Sequence, residues 1–486
     1  MSFLSKKYDN LIKYIIILFP LFLITGPFLP DFFCIFVGLS YLFFYSKNDK
    51  INKSEFHILI FFVLLYIYLN INSLISFNSI ISFKSSVPFL RIIIFIFALS
   101  YFFKTQKDIG SKLYFFFIVC IVILLIDSLY QFINNQNIFG TKPASVDRIT
   151  SFFDDEQIMG SFISRLLPCI IALSYLIKIK KKDIFNYFIL SVAFILIFLS
   201  GERLALAYFF IFLTLYFVID FNKTRTIYFL SFIIICATSL SLINSNQFKK
   251  FFVHTYNQLT INKTYFTSYR HLLHYRTSYS MYKDKPLFGH GLKSFRHLCS
   301  DPKYFNEQEV LDDNNFYSPV DGIVKVRQED DIKEAYVISV IEENGVIHNI
   351  GVYNIKNNLY FSKFKNGDPI KKGDTVFQKY EFKNGCNTHS HNIYFQFLSE
   401  LGLIGTAFLL TIFIYVLYNL FILLKMRINR KIDNIDKAKF LILSGIFISL
   451  IPIFPSGNYF NNWLLIITYF PIGIYLSLLK SRLNNE

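Results

Sequence analysis

Along most of this chain apolar residues continue for about 17–22 positions before a short polar connection interrupts them, the length at which a helix crosses the hydrocarbon core of a bilayer. Twelve stretches read this way: 11–29, 31–46, 56–76, 87–103, 113–133, 157–177, 184–200, 204–220, 226–244, 393–424, 438–454 and 462–479. Within them the apolar residues do not alternate with polar ones at a period of two, which a membrane barrel would require, so helices are expected. One long hydrophilic stretch, 245–392, interrupts the series.

The polar connections differ in charge. Lys6, Lys7 and Lys13 precede or begin the first run, and every second connection after it is again rich in cations, as at Lys47, Lys50 and Lys53, at Lys104, Lys107 and Lys112, and from Lys425 to Lys439. Excess Lys and Arg mark the cytoplasmic side, so both termini are expected inside and 245–392 outside, in a bacterial periplasm. The first run is followed at once by a second and carries no small-residue cleavage site, so it reads as a retained anchor. Of the cations expected outside, Lys84, Lys142, Arg148 and Arg203 need a reason other than topology.

Composition agrees with this reading. With 53% hydrophobic residues and 60 Phe the chain is not a soluble protein, and its net charge of +16 reports orientation, so no nucleic-acid partner is expected. The organisation is 1–244 with nine spans, 245–392 outside, and 393–486 with three spans.

The outer segment divides again. Residues 247–315 read as helical and hold His254, Arg270, His271, His274 and Arg276 ahead of a Pro286-Leu287-Phe288-Gly289-His290-Gly291 turn; taken singly, each of these cations and imidazoles reads as a solvated face. Residues 316–382 read as a small β domain, with short alternating runs between Gly/Asp turns. Pro319-Val320-Asp321-Gly322-Ile323-Val324 and the turn Gly367-Asp368 to Gly373-Asp374 resemble the barrel-sandwich hybrid fold of lipoyl-like and adaptor domains. No lysine occupies an obvious lipoyl or biotin hairpin, so the insert is expected to serve structure or docking, with an envelope partner as an option. Four of the six cysteines lie in spans; Cys299 and Cys386 lie outside, where a disulfide persists, and a bridge between them is expected.

Three patches carry candidate chemistry: Ser200-Gly201-Glu202-Arg203 at an outer turn, Asp284-Lys285-Pro286-Leu287-Phe288-Gly289-His290-Gly291, and His389-Ser390-His391-Asn392 with Glu400, Gly402 and Gly405. Together and in this order they resemble the O-antigen ligase and O-antigen polymerase family of membrane glycosyltransferases. Arg148 to Glu156, followed by Gly160, Ser161 and Pro168, is similar to an outer loop and helix of the same family. Ser390, where a proline is common, and the β insert depart from its pattern.

The resemblance implies a GT-C-like all-α polytopic fold of about twelve transmembrane helices. It implies glycan transfer from a polyprenyl-pyrophosphate donor to an acceptor hydroxyl, on a lipid A core, a glycan or a protein. No cofactor and no metal are expected. The residues fit this independently: there is no phosphate-cradling glycine loop, so the donor must carry its own activation, and arginine's planar fork suits a departing pyrophosphate. Arg203 is the leading candidate, joined by Arg276 or Arg270 from the long segment, between which the spacing does not choose. His391 would take the acceptor's proton, since an imidazole titrates near working pH. Arg148, Arg165, His389, Glu202 and Asn392 are expected around the substrate. His391, Phe395, Leu398, Gly402 and Gly405 fall at helical spacing, so the glycines are expected to allow close helix packing. Asp154, Asp155 and Glu156 offer the alternative of a metal-dependent transferase. The remaining alternatives are a polymerase of the same family, a transporter of the lipid-linked glycan, and an assembly subunit.

Overall fold

A computed structural model of the chain describes residues 2–106, 108–143, 148–154, 156–179, 181–243, 249–253, 255–256, 269–305, 307–328, 335–354, 359–361, 364 and 366–479. Among these residues eight helices are long and apolar enough to cross a membrane: Phe28–Asn48, Lys53–Leu74, Ser79–Thr105, Ile109–Asn134, Met159–Leu176, Lys182–Ser200, Lys223–Leu240 and Ile393–Ile428. The other four expected spans fall on shorter pieces. The first is broken at Leu18, just before Pro20, into Ser2–Ile17 and Phe19–Ile24. Arg203–Ile219, Asn434–Ser449 and Asn462–Leu478 have 17, 16 and 17 residues. Such helices rise about 24–26 Å, short of a hydrocarbon core of about 30 Å. Among the described residues eight of the twelve expected spans therefore have the length and apolarity of a full crossing, and four fall on shorter helices.

The Met159–Leu176 helix is buried along nearly its whole length and forms the centre of the bundle. It packs on Lys182–Ser200, Arg203–Ile219 and Asn434–Ser449. Rings such as Phe28, Phe43 and Phe44 are left exposed on the outside, as a lipid-facing surface requires. Two of the charges inside the helices are paired: Arg91 meets Asp31 at 2.9 Å, and Lys104 meets the buried Glu55.

Between the helices a β region runs from Glu307 to Asn384, wider than the expected 316–382, so the helical part ends before 315. The strands are β1 (Glu307–Tyr317), β2 (Gly322–Gln328), β3 (Ala335–Ile341), β4 (Ile347–Asn354), β5 (Leu359–Phe361), β6 (Pro369–Ile370) and β7 (Thr375–Asn384). They form two antiparallel sheets, β1-β7-β5 and β4-β3-β2-β6. A small core of Val324, Ile338, Val340, Ile370 and Val376 is separate from that of the bundle. The early start is explained by β1, whose Glu307 pairs with Asn384 and carries the sheet back to the helical segment. Its charged sequence, Glu307 to Asp313, hides the strand from any reading by hydrophobic alternation.

The Ile393–Ile428 helix is interrupted at Gly402, which adopts φ 63° and ψ −164°. The helix is therefore not the continuous surface that places His391, Phe395, Leu398, Gly402 and Gly405 on one face, and His391 itself precedes it. Residues 286–291 dock into the break. His290 and Gly291 donate their N–H groups to Ser399 O (3.0 Å) and Glu400 O (2.8 Å), while Leu403 and Ile404 donate theirs to Pro286 O (2.8 Å) and Leu287 O (3.3 Å). Asn72 adds a side-chain bond to Phe288 O at 2.5 Å.

Both glycines at this junction are necessary. A Cβ on Gly289 would stand 2.5 Å from the Glu400 carbonyl carbon, and one on Gly402 would strike the Leu287 carbonyl. At Gly402→Ala the left-handed backbone alone costs about 1–3 kcal/mol, and the clash adds to it. The variant is expected to melt several degrees below the wild type in detergent, and an unchanged melting temperature would refute the account of the junction.

Candidate active site

The loop that leads into the broken helix is held from several directions. Cys386 is disulfide-bonded to Cys299, with Cα atoms 5.1 Å apart, which ties the loop to the short Phe295–Leu298 helix. Gly385 lies against Thr277 and the Leu273 carbonyl, with no room for a side chain. At the other end Asn392 caps the helix. Its Oδ1 accepts the N–H groups of Tyr394 (2.9 Å) and Phe395 (3.3 Å), and its Nδ2 donates to Pro452 O (2.7 Å) and Phe454 O (3.2 Å). Asn392 thus spends its side chain on position, since Asn supplies the acceptor that a helix start lacks.

His391 adopts φ 56°, a backbone conformation uncommon for a residue with a side chain. Ser456 N–H (2.8 Å) and the Tyr275 hydroxyl (3.5 Å) hold its carbonyl. The ring meets three other imidazoles: His389 at 4.1 Å between centroids, and His271 and His274 at 5.0 Å each. His271 and His274 come from the Tyr269–Asp284 helix, which is fastened to the broken helix by Tyr275 stacked on Phe395 at 4.7 Å. His274 is fully buried, so the reading of a solvated face is wrong for it. Leu272, Leu273 and Met281 are too few apolar positions in this helix to show which partner buries the His274 face. Burial first, and then the nearby His391, lower the His389 pKa to about 3, so that ring is neutral across the working range.

Beside His389 lies a cavity of about 1000 Å³. Its lining combines apolar residues, among them Leu21, Leu23, Ile24, Pro27, Phe152 and Trp463, with the polar Arg165, Arg296, His389, Asn458 and Asn461. Of the expected residues, Arg165 and His389 line it, as do Asp154 and Glu156 of the acidic patch. Asp155 lies outside the described residues. Arg165 enters from the central helix with its guanidinium 5.5 Å from the Tyr208 ring. Arg296 was not anticipated, nor were Asn458 and Asn461. Arg296 sits one turn before Cys299, whose bridge carries it to the histidine loop. The two asparagines follow Pro455-Ser456-Gly457, a polar cluster between apolar runs that could have flagged a loop but not its destination.

Three of the remaining expected residues, Arg148, Glu202 and Arg203, occupy a second cluster. Glu202 accepts the N–H groups of Gly160 (2.7 Å) and Ser161 (3.1 Å) and the Ser161 hydroxyl (2.6 Å), at the first turn of the central helix. A carboxylate there suits both the orphan N–H groups and the helix dipole. Burial pushes its pKa up, and these donors and the Arg148 charge only partly offset that. Arg148 bonds Gln157, and its charge also acts on Arg203. So Arg148, Glu202 and Arg203 come together, with Glu202 engaged in holding the helix that bears Arg165. Arg276 is exposed on the Tyr269–Asp284 helix, while His274 is buried. Arg270 is the second residue of that helix, its side chain lying outside the described residues, as does His254.

Among the described residues no three His, Cys, Asp or Glu side chains converge as metal ligands would, and the four imidazoles meet ring to ring. Fold and site together define a polytopic helical membrane protein with a polar-and-apolar cavity at the loop end of its bundle. Residues 188–320 match the family model described as O-antigen ligase, and the match supports the O-antigen ligase/polymerase family for this chain. That family implies a membrane glycosyltransferase-like enzyme acting on lipid-linked glycans. No curated protein matches the chain.

The bridge closes a loop of 87 residues that contains the whole β region. Losing such a bond costs about 2–4 kcal/mol. Cys299→Ser is expected to lower the melting temperature and to weaken glycan transfer by loosening Arg296 and His389. Non-reducing mass spectrometry of the wild type is expected to recover the Cys299–Cys386 cross-linked peptides; two free thiols would refute the tether.

Proposed function

We propose that the protein transfers a glycan from a polyprenyl-pyrophosphate donor to an acceptor hydroxyl, without a metal, at the periplasmic face of a bacterial inner membrane. The architecture is GT-C-like, with both termini cytoplasmic. The observation that carries this reading is the cavity beside the histidine loop. Its apolar lining suits an isoprenoid chain, and Arg165 and Arg296 in the same lining suit the pyrophosphate that the chain bears.

Chemically the step is a single displacement. The acceptor oxygen bonds the anomeric carbon and gives its proton to His391, while the bond from that carbon to the pyrophosphate breaks and its electron pair leaves with the phosphate oxygen. Arginines neutralise the charge that develops there. In this reading Arg203 is the leading pyrophosphate contact, with Arg276 or Arg270 closing from the long segment and Arg148 and Arg165 assisting. Glu202 and Asn392 position the helices on which the others stand, as their hydrogen bonds support. The acceptor is a lipid A core, a glycan or a protein, and the β region is a docking surface for an envelope partner.

His391→Ala and Arg203→Ala are each expected to lower transfer at least about 100-fold while the protein still inserts in the membrane; wild-type rates in either would overturn the assignment. A chelator is expected to leave transfer intact. Loss on chelation that added metal restores would favour a metal at Asp154 and Glu156, both of which face the cavity. In a deletion strain a ligase leaves free lipid-linked polymer, whereas the alternative, a polymerase, leaves single repeat units.

A further inference from the structure

His391 is held by one side chain whose orientation fixes which proton the imidazole carries. Asn387 places its Nδ2 3.0 Å from His391 Nε2. The opposite atom of the amide, Oδ1, accepts the Thr388 N–H at 2.7 Å, so this end is the carbonyl and the end facing His391 is the NH₂. An NH₂ group only donates. His391 Nε2 must therefore accept, with its lone pair toward Asn387 and the ring proton on Nδ1.

We propose that Asn387 is the positioning residue for the proposed base, holding His391 uncharged with its lone pair on Nε2 and marking, with its own N–H, the place where the acceptor hydroxyl docks. This rests on the reading of His391 as the base. A proton on Nε2 in the resting site would face the Asn387 N–H, donor against donor. Turning the amide over would relieve that only by breaking the bond to Thr388.

The surroundings act in the same direction. His271, His274 and Tyr275 face His391 from the Tyr269–Asp284 helix, and His389 faces it from its own loop. Arg296 adds a positive charge close enough to act on His389. The acceptor O–H, arriving at Nε2 in place of the Asn387 N–H, meets that lone pair and passes its proton there as its oxygen bonds the anomeric carbon, and the imidazolium then gives the proton to water. The Cys386–Cys299 bridge, one residue before Asn387, holds the amide in register.

The tautomer is read directly from histidine nitrogen chemical shifts of the full-length protein in detergent near neutral pH, with the His391 signals assigned by their loss in His391→Gln. The expected spectrum has a protonated Nδ1 and a bare Nε2; a protonated Nε2 overturns the proposal without reference to activity. Asn387→Asp, whose carboxylate would accept a proton from Nε2, is expected to move the His391 titration and the acidic limb of transfer upward together, by about 1–3 pH units. If neither moves, Asn387 does not set the state of His391. Transfer that survives in His391→Gln would instead remove the base assignment, leaving the tautomer to stand or fall on the spectrum.

Discussion

The site depends on the pairing of the 286–291 segment with the break in the Ile393–Ile428 helix. A helix interrupted among apolar neighbours leaves N–H and C=O groups without partners, and each such group is costly where water cannot reach it. Here the inserted segment supplies those partners, accepting from Leu403 and Ile404 and donating to Ser399 and Glu400. Two glycines make the approach possible, because the two backbones run too close for a side chain between them.

That junction sets the relation between two pieces of chain about a hundred residues apart. The Tyr269–Asp284 helix ends just before the inserted segment and brings His271, His274 and Tyr275; the Phe295–Leu298 helix follows it and brings Arg296. The broken helix begins at Asn392, directly after His391. With the segment docked, the imidazoles fall into ring contact and Arg296 falls onto the cavity wall. The disulfide closes the same circuit from the other side. The β region hangs between these fixed ends with its own small core, an insertion that the junction tolerates because both its ends are already tied.

A second set of constraints orders the central helix. Glu202 takes the N–H groups at its start, so the turn carrying Arg203 and the helix carrying Arg165 move as one piece. A carboxylate could serve a substrate or a helix end, and these bonds put it to the second use. The same is true of Asn392. Both residues stand beside the proposed chemistry and act through the geometry they impose.

The apolar run lengths, with no alternation at a period of two, are enough to define a helical membrane protein, because inside a bilayer the backbone must satisfy its own hydrogen bonds. The pairing of Cys299 with Cys386 could be read from their isolation in the one hydrophilic segment, and His391, Arg203 and Arg165 stood out as polar groups in places that need a reason. Other features were not legible. Gly402 could be read as a packing residue on a smooth helix, because spacing cannot show that another segment supplies the hydrogen bonds of a break. His274 looked solvated because nothing local announces the partner that buries it. Arg296 and Asn387 gain their meaning only from the bridge and the loop that place them. Periodicity reports what each segment does with its own backbone and its solvent. Which side chains meet across a hundred residues is decided by the contacts that close the fold.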